Sequence, residues 1–499
     1  MTGVEEQTNI NRSAWTTLVI LSCLGRITMY GETMVLPAIP DFIRDFNISY
    51  NTSSWILSSY LIAGAVMTPI AGRLSDIYGK KKILLIVMAV YSTGILAGGF
   101  ANNIEFMLGA RAAQGVGMSM FPIAFGIIRE ILPEKKLAIG QTIFSSTFSG
   151  GAVVGLMVGA TIIQNFGWQA TFFSIFPIAV ILGLVIRKLI HVRNLATSEV
   201  NVEWGGGNDE NPSIKTQTID LKGTLALAVT IISFLAGISF LESNSTDAGF
   251  QVVALFSIAA VSLAIFIIIE KKVSSPLLDL KLMTHKMILP ATVILMMVFL
   301  CMFMVYQTVP ILVRSPQPLG FGGDAVVTAS VQLPFMIVLL IGTIMSGFIL
   351  NKVGNTRLTL LGTIISAIGF FSLLLFHSTE FMVSVTLAII SAGLSLSITG
   401  GFNVVLLSAP IEATGIALGM TLLLNLVGMS IGPSIAAMFQ QMYQGTIEGV
   451  VGEQFPTQDA YNLIFLTAAL ISLASIALAL ALARRKIIAG HIPSTTPTQ

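Results

Sequence analysis

Glu32 is the one carboxylate among 24 acidic residues that falls well inside a long apolar run; the others lie in tails, in loops or at the ends of such runs. Arg111 is its basic match. Each sits about five residues from the outer end of its run, and at roughly 1.5 Å per residue the two share a depth. A charge at that depth costs about 3 kcal/mol on insertion scales, so it is kept where it is paired, faces a cavity and works. The chemistry these types suggest is proton carriage. A dry setting favours a protonated carboxyl and a nearby guanidinium favours an ionised one, so such a group can load and unload a proton. The alternative for the same two residues is a static ion pair that ties two helices together. Arg26, deeper in the first run, either meets a substrate anion or satisfies neighbouring carbonyls. Tyr30 and Gln114 extend the polar set in the first half of the chain, and Tyr306, Gln307, Gln332, Asn403 and Asn425 supply one in the second. Each either lines a substrate cavity or bonds an adjacent helix.

Other chemistry lacks residues to carry it. The histidines, His191, His285, His377 and His491, fall in loops or tails, and Cys23 and Cys301 lie inside apolar runs. Neither a metal centre nor a phosphate-binding Gly-x4-Gly-Lys-Ser/Thr loop can be read, so we expect no catalytic residues, no enzymatic activity and no cofactor, with protons as the coupling ion. Net charge is +2 and excludes a bulk basic field for nucleic acid.

The elements that must position Glu32 and Arg111 follow from composition. Of 499 residues 54% are hydrophobic and 10% charged, and the mean hydropathy is +0.87. So little charge cannot cover the surface of soluble domains, which points to an all-α polytopic membrane protein. Runs long enough to cross a bilayer number fourteen: Trp15 to Pro37, Ser53 to Leu74, Ile83 to Ala101, Phe106 to Ile128, Ala138 to Gln164, Trp168 to Ile186, Leu221 to Leu241, Phe250 to Ile269, Met287 to Val313, Ala325 to Leu350, Leu358 to Phe376, Phe381 to Leu407, Thr414 to Met442 and Asn462 to Ala483. The first 14 residues are polar and hold Glu5 and Glu6, unlike a cleaved signal peptide. With an even count both termini share a side. Nearly all Lys and Arg fall on that side, with Arg44 and Arg314 opposite and Arg26 and Arg111 within runs, so both termini are expected in the cytoplasm of a cell that keeps this protein in its plasma membrane.

Two echoes imply a duplicated six-run unit. Gly72-Arg-Leu-Ser-Asp76-Ile-Tyr-Gly79-Lys80-Lys81-Lys82 returns as Gly347-Phe-Ile-Leu-Asn351-Lys-Val-Gly354-Asn-Thr-Arg357. Gly151-x3-Gly155-x3-Gly159 returns as Gly428-x3-Gly432-Pro433-x2-Ala436. The expected organisation is a six-helix bundle over 1–190, a polar linker over 191–220, two inserted helices over 221–270, a second six-helix bundle over 271–483 and a tail over 484–499. The sum is fourteen spans as six, two and six.

On these motifs the chain resembles the major facilitator superfamily, and within it the 14-span drug:proton antiporter group of the multidrug efflux type. The 72–82 loop is similar to the superfamily signature between spans 2 and 3. Arg111-x-x-Gln114-Gly115-x-Gly117 is similar to the span 4 signature, Trp168 with Phe172 and Pro177 to the opening of span 6, and Pro276-Leu-Leu-Asp-Leu280 to the stretch before span 9. In span 1, Thr33 and Ala38-Ile39-Pro40 fit the group's pattern, but Gly31 holds its aspartate position and the acid follows at Glu32. In span 5, Leu156 stands where the group has proline.

The resemblance implies the major facilitator fold, spans 1 and 4 lining a central cavity, and a monomer in the lipid bilayer that takes a small-molecule substrate through alternating access. Gly72, Asp76, Gly79, Lys80 and Lys81 would form a latch at the cytoplasmic ends, with Gly72 permitting close helix approach. Gly151, Gly155 and Gly159 would let span 5 approach a neighbour closely, and Gly432 with Pro433 would hinge or kink span 13. Methionines and phenylalanines of span 9, such as Met296, Met297, Phe299, Met302 and Met304, suit either a lipophilic pocket or a packing stripe. The expected activity is proton-coupled export of small lipophilic or cationic compounds. Proton-linked uptake of a small solute such as an organic acid stays open, as does a non-transporting membrane sensor.

Overall fold

The computed structural model describes residues 11–190, 221–240, 248–273, 280–410, 414–447 and 453–489. Helices dominate: α1 (Arg12–Thr33), α2 (Ile39–Phe46), α3 (Tyr50–Tyr78), α4 (Lys80–Gly99), α5 (Ile104–Gly115), α6 (Met120–Ile131), α7 (Glu134–Phe166), α8 (Trp168–Leu189), α9 (Leu221–Phe240), α10 (Ala248–Lys272), α11 (Leu280–Met283), α12 (Ile288–Arg314), α13 (Ala325–Val353), α14 (Asn355–Leu375), α15 (Glu380–Ser408), α16 (Thr414–Met442) and α17 (Gln458–Ala489). A two-residue pairing of β1 (Gln444–Gly445) with β2 (Phe455–Pro456) joins the last two helices.

Twelve of the described helical stretches are long and apolar enough to cross a membrane. Two of the fourteen expected runs fall outside that number for physical reasons. The run 106–128 is interrupted by a 3₁₀ turn, Val116–Ser119, that divides α5 from α6, and α9 is short in apolar length. The first run is also broken. α1 ends at Thr33 and the chain passes through a 3₁₀ turn containing Pro37 before α2, because proline offers no N–H to a continuing helix. The linker 191–220 and most of the tail lie outside the described residues.

Cap chemistry marks where helices begin. Ser49, Asn103, Asp324 and Thr379 each accept from the backbone N–H three residues on, at the starts of α3, α5, α13 and α15. The turns from α3 to α4 and from α13 to α14 hang on Gly79 and Gly354, whose φ of 94° and 85° suit glycine alone.

Helices α1 to α8 pack among themselves, as do α12 to α17, and the groups meet along α3 against α16 and α7 against α13. α9 lies on α10 and touches both α3 and α16, so the extra pair rests on one seam. The end of the bundle where α1 begins and α17 finishes is called here the terminal end, and the other the far end.

The hydrogen bonds joining the two groups concentrate at the far end. Arg314 donates to both carboxylate oxygens of Asp41, Nη2 to Oδ1 at 2.7 Å, and to the Pro37 carbonyl at 3.1 Å. The Tyr50 N–H donates to Gln441 and its hydroxyl to the Gln454 carbonyl, Gln307 donates to Ser53, and the Ala325 N–H donates to Gln164. Asp41 is held in turn by Arg44, while Asp45 accepts from the Trp168 indole at 2.9 Å and fixes α2 on α8. Toward the terminal end, a Cβ placed on Gly72, Gly347 or Gly419 would meet nothing within 4 Å. In this conformation the space beside Gly72, where a close approach is expected, is open.

Candidate functional site

Arg111 is fully buried on α5, and its guanidinium joins three helices. Nε donates to the Ile56 carbonyl of α3 at 3.1 Å, and Nη1 to the Gly31 carbonyl of α1 at 3.3 Å and to Gln114 Oε1 at 2.7 Å. Its plane lies 4.5 Å from the Tyr60 ring centroid, a cation–π contact. Gln114 passes the connection on by donating to the Gly94 carbonyl of α4 at 3.0 Å. The glycines of this motif supply the clearance. A Cβ on Gly115 would stand 2.1 Å from the Tyr60 carbonyl, and one on Gly117 2.5 Å from the Tyr91 ring.

Glu32 is 5% exposed at the end of α1. Arg111, Tyr60 and Tyr91 of the first group and Tyr306 of the second all lie within electrostatic range of its carboxyl. The expected Glu32–Arg111 ion pair is corrected in form: no salt bridge links them, because two nitrogens of the guanidinium are committed to neutral acceptors. Glu32 Oε2 and Arg111 Nη2 are instead both buried without a hydrogen-bond partner. The acid stands at 32 rather than 31 for a steric reason. A Cβ at Gly31 would meet the Tyr91 hydroxyl at 2.5 Å, and that hydroxyl donates to the Ile27 carbonyl.

Across the seam, Tyr306 packs on Phe303 and Phe335, with ring centroids 5.0 and 5.7 Å away, and its hydroxyl points at Met336 Sδ. Gln307 and Gln332 are buried beside this cluster in sequence, and Asn425 is buried on α16. Gln307 Oε1 and both amide atoms of Gln332 and of Asn425 have no partner. Asn403 is different: half-buried, it donates back to Thr399 of its own helix. Tyr30 is half-buried, and Arg26 is exposed with no carboxylate within salt-bridge distance among the described residues.

The glycine ladder does what its spacing asks. Cβ atoms on Gly151, Gly155 and Gly159 would strike the backbone of Arg26, Tyr30 and Met34 at 2.5 to 2.8 Å, and one on Gly432 the Leu300 carbonyl at 2.4 Å. Thr33 adds a bond from its hydroxyl to the Ala152 carbonyl. Pro433 follows inside α16, which continues through it to Met442. At the terminal end, Lys80 pairs with Glu130 and Lys81 is half-buried, whereas the side chains of Asp76 and its echo Asn351 lie outside the described residues. Sequence reasoning missed Tyr60, Tyr91, Asp41 and the contact role of Arg314. The charge count did isolate Arg314 as one of two bases on the far side, and that was the available signal.

A family model for the Major Facilitator Superfamily matches residues 21–433. "Multidrug resistance protein 3" of Bacillus subtilis (strain 168) is 25% identical over 72% of this chain and 67% of its own length. "Multidrug resistance protein Stp" of Mycobacterium tuberculosis (strain CDC 1551 / Oshkosh) is 25% identical over 82% of this chain and 73% of its own. In fold, the chain is similar to the xylose transporter XylE from E. coli in a partially occluded inward open conformation, with a TM-score of 0.61 at 11% identity, covering 98% of this chain and all of that one.

Proposed function

This chain belongs to the major facilitator superfamily of membrane transporters, and from that premise we propose that it exports small lipophilic or cationic compounds in exchange for protons. The observation that carries the reading is the pair of partnerless buried atoms, Glu32 Oε2 and Arg111 Nη2, in the interior of the first group, where the Tyr60 ring covers the guanidinium. A buried carboxyl oxygen without a partner is costly. A proton, or the cationic group of a substrate, relieves that cost, and the two compete for one place. The multidrug resistance proteins among the relatives support export of drug-like molecules.

The cycle follows from this competition. We read the junction of Arg314 with Asp41 as closing the far end, so that the site would be reached from the terminal side; parting that junction and closing the terminal end would give the far side access. We assign the terminal end to the cytoplasm of a cell membrane on the lysine and arginine distribution. We also count α5 and α6 as one interrupted crossing and add α9 beside α10 as another, which brings the twelve to fourteen, arranged six, two and six. The Asp76 loop would act as the terminal-end latch, and one chain would suffice.

Arg26 favours a second reading. An exposed arginine on α1 without a carboxylate partner suits an anionic solute, and uptake of such a solute with a proton would use the same fold. Reconstitution into vesicles holding a pH dye separates the two. Under an imposed proton gradient, lipophilic cations should trigger proton movement opposite to their own, and Glu32→Gln should abolish it. Proton movement along with an organic anion would select uptake, and equal responses from wild type and Glu32→Gln would dismiss Glu32 as the carrier.

A further inference from the structure

We infer that Gln332 determines specificity, its amide N–H donating to and its amide oxygen accepting from a substrate polar group that carries an acceptor and an N–H or O–H together, such as a carboxamide. The inference rests on the export reading above and narrows its substrate class. Purely lipophilic cations would need the carboxyl and the aromatic rings alone; the second half of the site offers more than that.

Gln332 is 2% exposed on α13, and neither its amide oxygen nor its amide nitrogen has a partner. Leaving both ends of an amide unmade in a buried position costs more than a leucine of similar size would, so the group is an open pair of valences. Its place in the fold says what completes it. One turn on along the same helix face come Phe335 and Met336, which hold the ring and hydroxyl of Tyr306. Tyr306 in turn is within electrostatic range of Glu32. Its neighbour Gln307 spends its amide nitrogen on Ser53 across the seam and leaves Oε1 open. Carboxyl, aromatic wall and open amide thus follow one another from α1 through α12 to α13. A molecule with a cationic centre at Glu32, an apolar body against Tyr306 and Phe335, and a carboxamide at Gln332 would satisfy all three.

The test is a matched pair of probes: carbamoylmethyltriphenylphosphonium, and methallyltriphenylphosphonium, which keeps the shape and charge but has no donor or acceptor. Binding of each to the purified full-length protein is measured for wild type, Gln332→Leu and the more flexible Gln332→Met. Wild type should prefer the carboxamide probe, and both variants should lose about tenfold in affinity for it, the value of two neutral hydrogen bonds, with methallyl binding unchanged. Unchanged methallyl binding also shows that the variants are folded. Equal losses for both probes would make Gln332 a packing residue, and no loss for either would mean that water completes its amide; each overturns the inference while leaving export intact. Wild type that binds neither phosphonium would overturn the export reading and this inference with it.

Discussion

The two groups of helices repeat each other's packing but not each other's charge. Gly151 and Gly155 of α7 press on the carbonyls of Arg26 and Tyr30 in α1; Gly428 and Gly432 of α16 press in the same way on those of Met296 and Leu300 in α12. Two residues beyond Tyr30 stands Glu32, and two beyond Leu300 stands Met302. Likewise Gly94 lies against the backbone of Gln114, and Gly369 against that of Ile390. Three residues before these come Arg111 and Leu387, both fully buried. Arg26, Glu32, Arg111 and Gln114 thus correspond to Met296, Met302, Leu387 and Ile390. Close packing depends on glycine positions and survives such a divergence, whereas charge inside a membrane is costly and is kept in one copy only. Two methionines of α12, Met296 and Met302, fill with flexible apolar bulk the places that hold Arg26 and Glu32 in α1.

The largest effect should come from swapping charge alone. Glu32→Gln is expected to abolish substrate-driven proton movement in the vesicle assay, while Met302→Gln leaves it in place; loss in both would end the claim that only the first half couples. Next is the cost of the buried guanidinium. Arg111→Lys cannot reach Ile56, Gly31 and Gln114 at once and should lower stability by about 2 kcal/mol, seen as a drop in the thermal midpoint, against under about 1.5 kcal/mol for Leu387→Met.

Packing should behave the opposite way, with the halves alike. Gly94→Ala and Gly369→Ala place a methyl within 3 Å of a neighbouring backbone and should each cost about 1 to 3 kcal/mol; a large difference between them would break the structural half of the comparison. Arg314→Gln removes a junction between the halves rather than a site in either. It should move the population toward the far-end-open state by about tenfold, roughly 1.4 kcal/mol, read as a longer spin-label distance between α2 and the start of α13.

The smallest effect concerns a gap. Tyr91 fills the space beside Gly31, but its counterpart Ser366 leaves a cavity with room for about one water, lined also by Cys301, Phe370 and Ser472. Filling it with Ser366→Val should add about 1 kcal/mol to stability without changing transport.

Legibility from sequence divides along similar lines. The α3–α4 and α13–α14 turns were readable because Gly79 and Gly354 answer a local demand, positive φ, that few other residues meet. The glycine ladder was readable because its spacing states a helix face. The break of α1 before Pro37 and the 3₁₀ turn after Gly115 were not, since both runs stay apolar throughout and a bilayer needs only apolar length. Among site residues, Glu32 and Arg111 stood out because charge is scarce where they lie. Tyr60 and Tyr91 look like ordinary apolar-run residues until α3 lays the Tyr60 ring on the arginine and α4 sets the Tyr91 hydroxyl against Gly31 and the Ile27 carbonyl.

By itself the sequence determined that this is a polytopic helical membrane protein built on a duplicated unit with one charged pair of helices in its interior, because hydropathy, glycine spacing and the scarcity of charge are properties of the chain alone. Whether Glu32 and Arg111 touch, what the guanidinium holds instead, and that Arg314 joins Asp41 across the far end were decided only by the tertiary structure. These depend on which carbonyls a helix break frees and on the approach that each glycine allows, and neither is encoded in residue type at a single position.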